Sequence, residues 1–392
     1  MAVKVQESYS LIVGGPFWRL QQRLGLLGSD RLPTVKTALL FAALAWLPPA
    51  LLALLQGVAL SETLGGRAFL SDFGAYARFV IAIMIFVVTE RFADALDATL
   101  LRQVTDAGLV PPEEQAGFTA SLQRADQRTS SARGEAIMLS ISYAISVASL
   151  FLQVTELRGS WIGTLVNGRV RISSAGWWAM LVSMPLFWFL ALRWLWRFVV
   201  LTLLLLDMTR LRLRLVATHP DRSGGIGFLG QYPTLFVGVV FALSCVAASA
   251  ALKEILFAGQ DLTSVAAPFL MWVALVLIIS VGPLTVFVPG LLRLKRHALL
   301  EYGAFACEHN RAFETKWIRR EQDGRDALGS PDISSLSDLT TVVQSIRAMR
   351  VFPVGTETLV PLLIATGMPW LAVVATSVPL AELFKTVVKA LL

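Results

Sequence analysis

Only two cysteines occur in 392 residues, Cys245 inside an apolar run and Cys307 in a charged one, which excludes a disulfide framework. Charge is scarce as well: 16% of residues are Asp, Glu, Lys or Arg, where soluble domains carry about a quarter. Histidine appears only as His219, His297 and His309, and the H-E-x-x-H, P-loop and G-x-S-x-G patterns are missing. Cys307, Glu308 and His309 adjoin, but neighbours in a helix point apart, so no metal ligand set follows. The pattern implies no cofactor and no recognisable enzyme.

Apolar residues fill that gap, at 55% of the chain, and that much apolar surface needs lipid. The expected fold class is all-α, a polytopic transmembrane helix bundle. Seven membrane segments can be drawn: Thr37 to Val58, Phe73 to Glu90, Ala136 to Val154, Gly176 to Leu206, Thr234 to Leu252, Ala266 to Leu291, and Thr358 to Pro379. The residues before Thr37 include Lys4, Arg19, Arg23, Arg31 and Lys36, which makes the first segment a permanent span rather than a cleavable leader.

Alternate connections carry five, five, four and ten Lys or Arg, against one, three, one and two on the other side. Basic residues are held in the cytoplasm, so the N-terminus is expected there. Net charge is +7, but its concentration on one face fits anionic lipid and excludes nucleic acid as the partner. Four regions follow: a cytoplasmic interfacial helix over 1–36, a six-span domain over 37–291 with cytoplasmic loops 91–135 and 207–233, a cytoplasmic helical subdomain over 292–356, and a proline-broken segment with an amphipathic tail over 357–392. Pro361, Pro369 and Pro379 leave a second option for that last segment, a re-entrant hairpin.

The pieces outside lipid are amphipathic. Phe17, Leu20, Leu24 and Leu27 share one helical face apart from Arg19 and Arg23, as in a helix lying in the interface. Leu291 to Arg320 reads as a long helix with Leu299, Tyr302, Ala306, Phe313 and Trp317 at helical spacing. A second helix follows, with Ser330 as N-cap, Pro331 in the first turn, and Ile333, Leu336, Leu339, Val343 and Ile346 on one face. The tail places Leu380, Leu383, Phe384, Val387, Val388 and Leu391 together.

The stretch HPDRSGGIGFLG spaces Gly225, Gly227 and Gly230 like a dinucleotide-binding turn. That turn works only between a strand and a helix of a βαβ unit, and here a membrane helix precedes and another begins about five residues later. Two readings are left. In one, the glycines supply positive φ and Asp221 caps a turn. In the other, His219, Asp221, Arg222, Gly224, Gly225 and Gly227, with Arg210 and Arg214 upstream, hold an anion or a lipid head group.

That loop, the stretch GSPDISSLSDL and the proline-rich segment ending PLAELFKTVVKALL together resemble a family of uncharacterised multi-pass proteins of bacterial inner membranes. The resemblance covers the second half and, in the first half, only the span pattern. It implies the bacterial inner membrane as location and brings no activity.

Polar residues inside the spans are the remaining candidates. The fourth segment carries Arg193 and Arg197 on one face. If Trp177 and Trp178 mark the outer interface, the arginines reach the inner one, and Phe198 to Leu206 must be covered by the two amphipathic helices; in the other register they lie near mid-bilayer and must pair or face water. Arg78 and Glu90 bound about 11 apolar residues, making Glu90 a partner for an arginine. Ser142, Ser146 and Ser149 form a stripe, read as close packing or as a wet wall. Gly282 and Pro283 break the sixth segment.

The leading expectation is a transport-class protein, an oligomeric ion channel or carrier with anions tried first, whose path uses these residues. The alternative is a membrane scaffold or sensor whose helices at 292–350 bind a protein partner. A lipid-phosphate enzyme at the His219 loop is the weaker third.

Overall fold

The computed structural model describes residues 9–59, 68–152, 161–166, 169–319 and 331–376. Apart from one antiparallel hairpin, β1 (Gly163–Val166) with β2 (Arg169–Ile172), its regular elements are helical. The N-cap expected at Ser330, the amphipathic tail and the far ends of the third and seventh segments lie outside the described residues.

Helix α1 (Gly15–Arg23) lies across the bundle end, its start turned by Gly14 and Gly15 at φ 131° and 85°. Helix α2 (Val35–Leu55) opens with a reciprocal capping box between Thr34 and Thr37. One of its sides exposes Leu40, Leu44, Leu47 and Leu51 at helical spacing, as a lipid-facing helix does. A π-helical turn (Tyr76–Ala82) leads into α3 (Ile83–Asp106), which turns polar after Glu90. Helices α4 (Gln115–Thr129) and α5 (Ala132–Leu152) follow. Next comes α6 (Ser174–Thr209), with a π-helical turn at Ala179–Ser183.

At 36 residues α6 is about 54 Å long, far beyond a hydrocarbon core of about 30 Å. Its protruding end is therefore clothed in protein. Arg124 of α4 binds Asp207 through Nη2 at 3.1 Å, and Trp196 Nε1 donates to the Arg128 carbonyl at 3.0 Å. Phe236 meets Trp194 and Phe198 edge-on. The cover over Val200, Leu201, Leu204 and Leu205 thus comes from α4 and from short 3-10 stretches at Gly227–Phe236 and Gly282–Phe287, not from the helices beyond Leu291.

Helix α7 (Gly227–Ala258) begins with the first of those stretches and ends at Gly259, left-handed at φ 67°. Helix α8 (Ala266–Val281) continues through Gly282–Phe287 into α9 (Val288–Phe313), so Gly282 and Pro283 change the helix type without ending the rod. Helix α10 (Pro331–Arg347) folds back on α9, joined by His309 Nε2 and Ser335 Oγ at 3.2 Å and by Trp317 Nε1 on Asp332 at 3.0 Å. Helices α11 (Thr356–Gly367) and α12 (Trp370–Val374) end the described chain.

Among the described residues, four helices are long and apolar enough to cross a membrane: Val35–Leu55, Ser174–Thr209, Gly227–Ala258 and Leu262–Ile318. The expected seven are not reached by that measure, and the ends of the third and seventh are not described. The last segment nonetheless runs along α7. Thr358 Oγ1 bonds the Gly230 carbonyl at its start, and Trp370 and Val373 pack with Ala248 and Ala251 near the opposite end. That course keeps the segment beside α7 from its start to Val373.

Candidate functional site

Arg193 and Arg197 stand one turn apart on α6, so both guanidinium groups enter the same gap between α3 and α5. Glu90 of α3 meets them from one side: its Oε1 is 2.8 Å from Arg197 Nη1 and 3.7 Å from Arg193 Nη1. Glu135, in the first turn of α5, meets Arg193 Nε at 3.9 Å. All four side chains are buried. The 2.8 Å approach is close, yet neither Nη1 makes a hydrogen bond, so this contact is ionic rather than directional.

Aromatic faces and the N-terminal segment complete the enclosure. The Arg193 guanidinium lies 4.7 Å above the Phe17 ring, and that of Arg197 lies 4.8 Å above Trp194. Arg197 Nη2 donates to the Ile12 carbonyl at 3.4 Å. Glu135 Oε2 accepts the Phe17 N–H at 2.7 Å, so a carboxylate from another helix caps the positive end of α1. Two positive and two negative charges thus neutralise one another at the level where α3 and α5 turn polar. Trp177 is exposed toward the other end of α6.

Glu90 therefore pairs with both arginines of α6, while Arg78 sits apart, at the other end of its helix segment. Its guanidinium lies by Gly74, near Asp72, whose carboxylate takes the N–H groups of Gly74, Ala75 and Trp161. The stripe also stays separate: Ser142, Ser146 and Ser149 donate to Leu139, Ser142 and Ser146 carbonyls of their own helix, where α5 packs closely on α6. Pro283 faces a small gap lined by Leu201, Leu205 and Tyr232. The residues nominated for one path occupy four places.

In the glycine-rich loop, Asp221 accepts N–H groups of Ser223 at 2.7 Å, Gly227 at 2.8 Å and Gly225 at 3.2 Å. His219 Nδ1 stands 2.9 Å from its Oδ1. Burial opposes ionisation of this carboxyl, but the N–H groups of Ser223, Gly227 and Gly225 and the contact with His219 outweigh it and hold the pKa below the ordinary value. Donors an external anion would need are already turned toward the loop's own negative charge. Gly224 and Gly225 adopt φ of 71° and 92°, and Arg222, exposed, adopts 55°.

The loop is also stitched to the chain before α11. Arg350 N–H donates to the Arg222 carbonyl at 2.6 Å and its Nη2 to that of Asp221 at 3.2 Å. Of the upstream arginines, Arg210 pairs with Asp207 at 3.3 Å, and Arg214 bonds the Leu109 carbonyl only through its backbone, leaving the side chain exposed.

Sequence reasoning passed over a second buried group, on the extension of α3 beyond its apolar run. Asp97 is fully buried with one oxygen unpartnered, and the hydroxyls of Tyr9 and Tyr232 are likewise buried and unpartnered. Burial first, then the charge of Asp94, push the Asp97 carboxyl up to about 7, against the opposing N–H of Leu11. Ser10 bonds Asp94 beside it. Glu135 was missed too, although its signal matched that of Glu90: a lone carboxylate at the border of an apolar run. Among the described residues no three His, Cys, Asp or Glu side chains gather as a metal site would.

No protein-family description matches this chain, and no curated protein or solved structure matches it either.

Proposed function

We propose that the chain is an integral-membrane scaffold or sensor of the bacterial inner membrane, in which the bundle anchors the α9–α10 hairpin on the cytoplasmic side and the hairpin binds a protein partner. The observation that carries this reading is the hairpin's surface. Leu300, Phe305 and Ile318 are 75%, 59% and 69% exposed, on a rod whose α9 alone is about 39 Å long. The shorter α10 covers one side of it, and apolar side chains left bare outside lipid mark interaction surfaces. The buried charges of the bundle support the same reading, since they neutralise one another instead of lining one path.

The test is a photoreactive residue at position 300 or 305 of the full chain, irradiated in intact membranes. A discrete adduct at both positions, weakened by Phe305→Glu when the probe is at 300, is the expected result. No adduct at either position overturns the reading. Transport is the second reading, favoured by the intramembrane charges of Arg193, Arg197 and Glu90, which elsewhere mark ion pathways. Its test is flux of chloride, phosphate, potassium or protons into liposomes, comparing wild type with Arg193→Ala and Arg197→Ala. Flux above empty liposomes with selectivity altered in the variants would establish it; none removes it.

A further inference from the structure

A groove of about 540 Å³ opens between α1, α5 and α6 on the outside of the bundle, with Glu135 of the charge quartet in its wall. Its walls are almost wholly apolar: Leu139 and Ala136 from α5, Leu186 and Phe189 from α6, and Phe17 and Leu20 from α1 as a roof. From Glu135 at the polar edge to Tyr143, the α5 wall is about 12 Å long, close to the depth of one leaflet of a 30 Å core. Tyr143 and Leu181 meet at the deep end. Tyr143 Oη donates to the Leu181 carbonyl at 3.1 Å, an acceptor inside the π-helical turn Ala179–Ser183.

The mouth has the opposite character. Arg19 and Arg23 are exposed on α1, Arg133 is exposed in the first turn of α5 next to the lining residue Ala132, and none of the three makes an ion pair with a described residue. Glu135, the carboxylate in the wall, is committed to Arg193 and to the Phe17 N–H, so its charge is met from within the protein. A chain-deep apolar slot beneath unpaired cations complements one molecule: a lipid with an acyl chain and an anionic head.

We propose that this groove is a specific site for one anionic phospholipid of the adjoining leaflet, with an acyl chain between α5 and α6 under α1 and its phosphate on Arg19 and Arg133. The site does not depend on whether the protein docks a partner or passes a solute.

The experiment is native mass spectrometry of the detergent-solubilised full chain, with phosphatidylglycerol and phosphatidylcholine of identical acyl chains added in turn. Wild type is expected to retain phosphatidylglycerol about thirtyfold better, from about one kcal/mol for each of the two basic residues. The double variant Arg19→Ala, Arg133→Ala should lose that preference but still retain both lipids weakly. Ala136→Phe, at an exposed wall position, should reduce retention of both while the protein elutes as an undisturbed single species. Equal retention of the two lipids by wild type, or a preference untouched by both variants, overturns the proposal. Exposed arginines and an exposed alanine are not needed for folding, so the variants report on the site.

Discussion

Arg193 and Arg197 illustrate how a charge is tolerated in an apolar bundle: each reaches a carboxylate and an aromatic face at once, and neither reaches water. Removing one partner leaves the others uncompensated, which costs about 3 to 5 kcal/mol in buried pairs. Glu90→Ala is therefore expected to lower the unfolding temperature in detergent steeply. Glu90→Leu with Arg197→Leu should recover most of the loss, because Arg193 keeps Glu135. A double variant as unstable as the single one would refute the pairing. Asp97 gives a pH test. Its folded pKa of about 7 exceeds the ordinary carboxylate value, so the folded state binds more protons than the unfolded chain between about pH 4 and 7. Stability contributed by this residue is highest at the acid end of that window, falls as pH rises through it, and is level above. Asp97→Asn should remove the slope in melting curves taken across the window.

Among the elements, α1 depends on a neighbour for its N-terminal cap. Gly14 makes no side-chain cap bond, and the Phe17 N–H is met by Glu135 of α5. Glu135→Ala is expected to loosen α1 without unfolding the bundle, seen as faster tryptic cleavage after Arg19 and Arg23 at unchanged near-native fluorescence. Unchanged cleavage would mean that apolar contacts such as Phe17 on Phe189 hold the helix alone. Helix α1 itself was legible: its apolar face and its arginines follow a 3.6-residue period. So was α10, drawn from its proline and its apolar spacing and found at Pro331–Arg347. The 3-10 stretches at Gly227–Phe236 and Gly282–Phe287 were not, because apolar periodicity does not distinguish a tighter helix from an α-helix over two or three turns.

On the scale of the whole molecule, the two cysteines report topology. Cys307 is exposed on α9 and Cys245 half-buried within α7. If the N-terminus and the hairpin are cytoplasmic, a membrane-impermeant thiol reagent should leave Cys307 unlabelled in intact cells and label it after lysis, with Cys245→Ser as background. Labelling in intact cells would invert the orientation taken from the basic loops. The candidate site was half legible at this scale. Charges flanking apolar runs identified Glu90 and the arginines; Glu135 carried the same border signal without being drawn from it, and Asp97 looked like an ordinary surface carboxylate of a polar segment.

Composition and period were enough to make the chain helical and to direct its apolar faces toward lipid or core, since both depend on the residue itself and its nearest turns. Which charges meet was decided only by tertiary structure. Glu90, Glu135 and Arg193 are separated by dozens of residues, and the burial that turns them from solvated ions into an obligate quartet exists only once α1, α3, α5 and α6 close around them. The glycine-rich loop shows the same division: the sequence supplied residues able to cradle an anion, and the folded backbone turned those N–H groups onto Asp221.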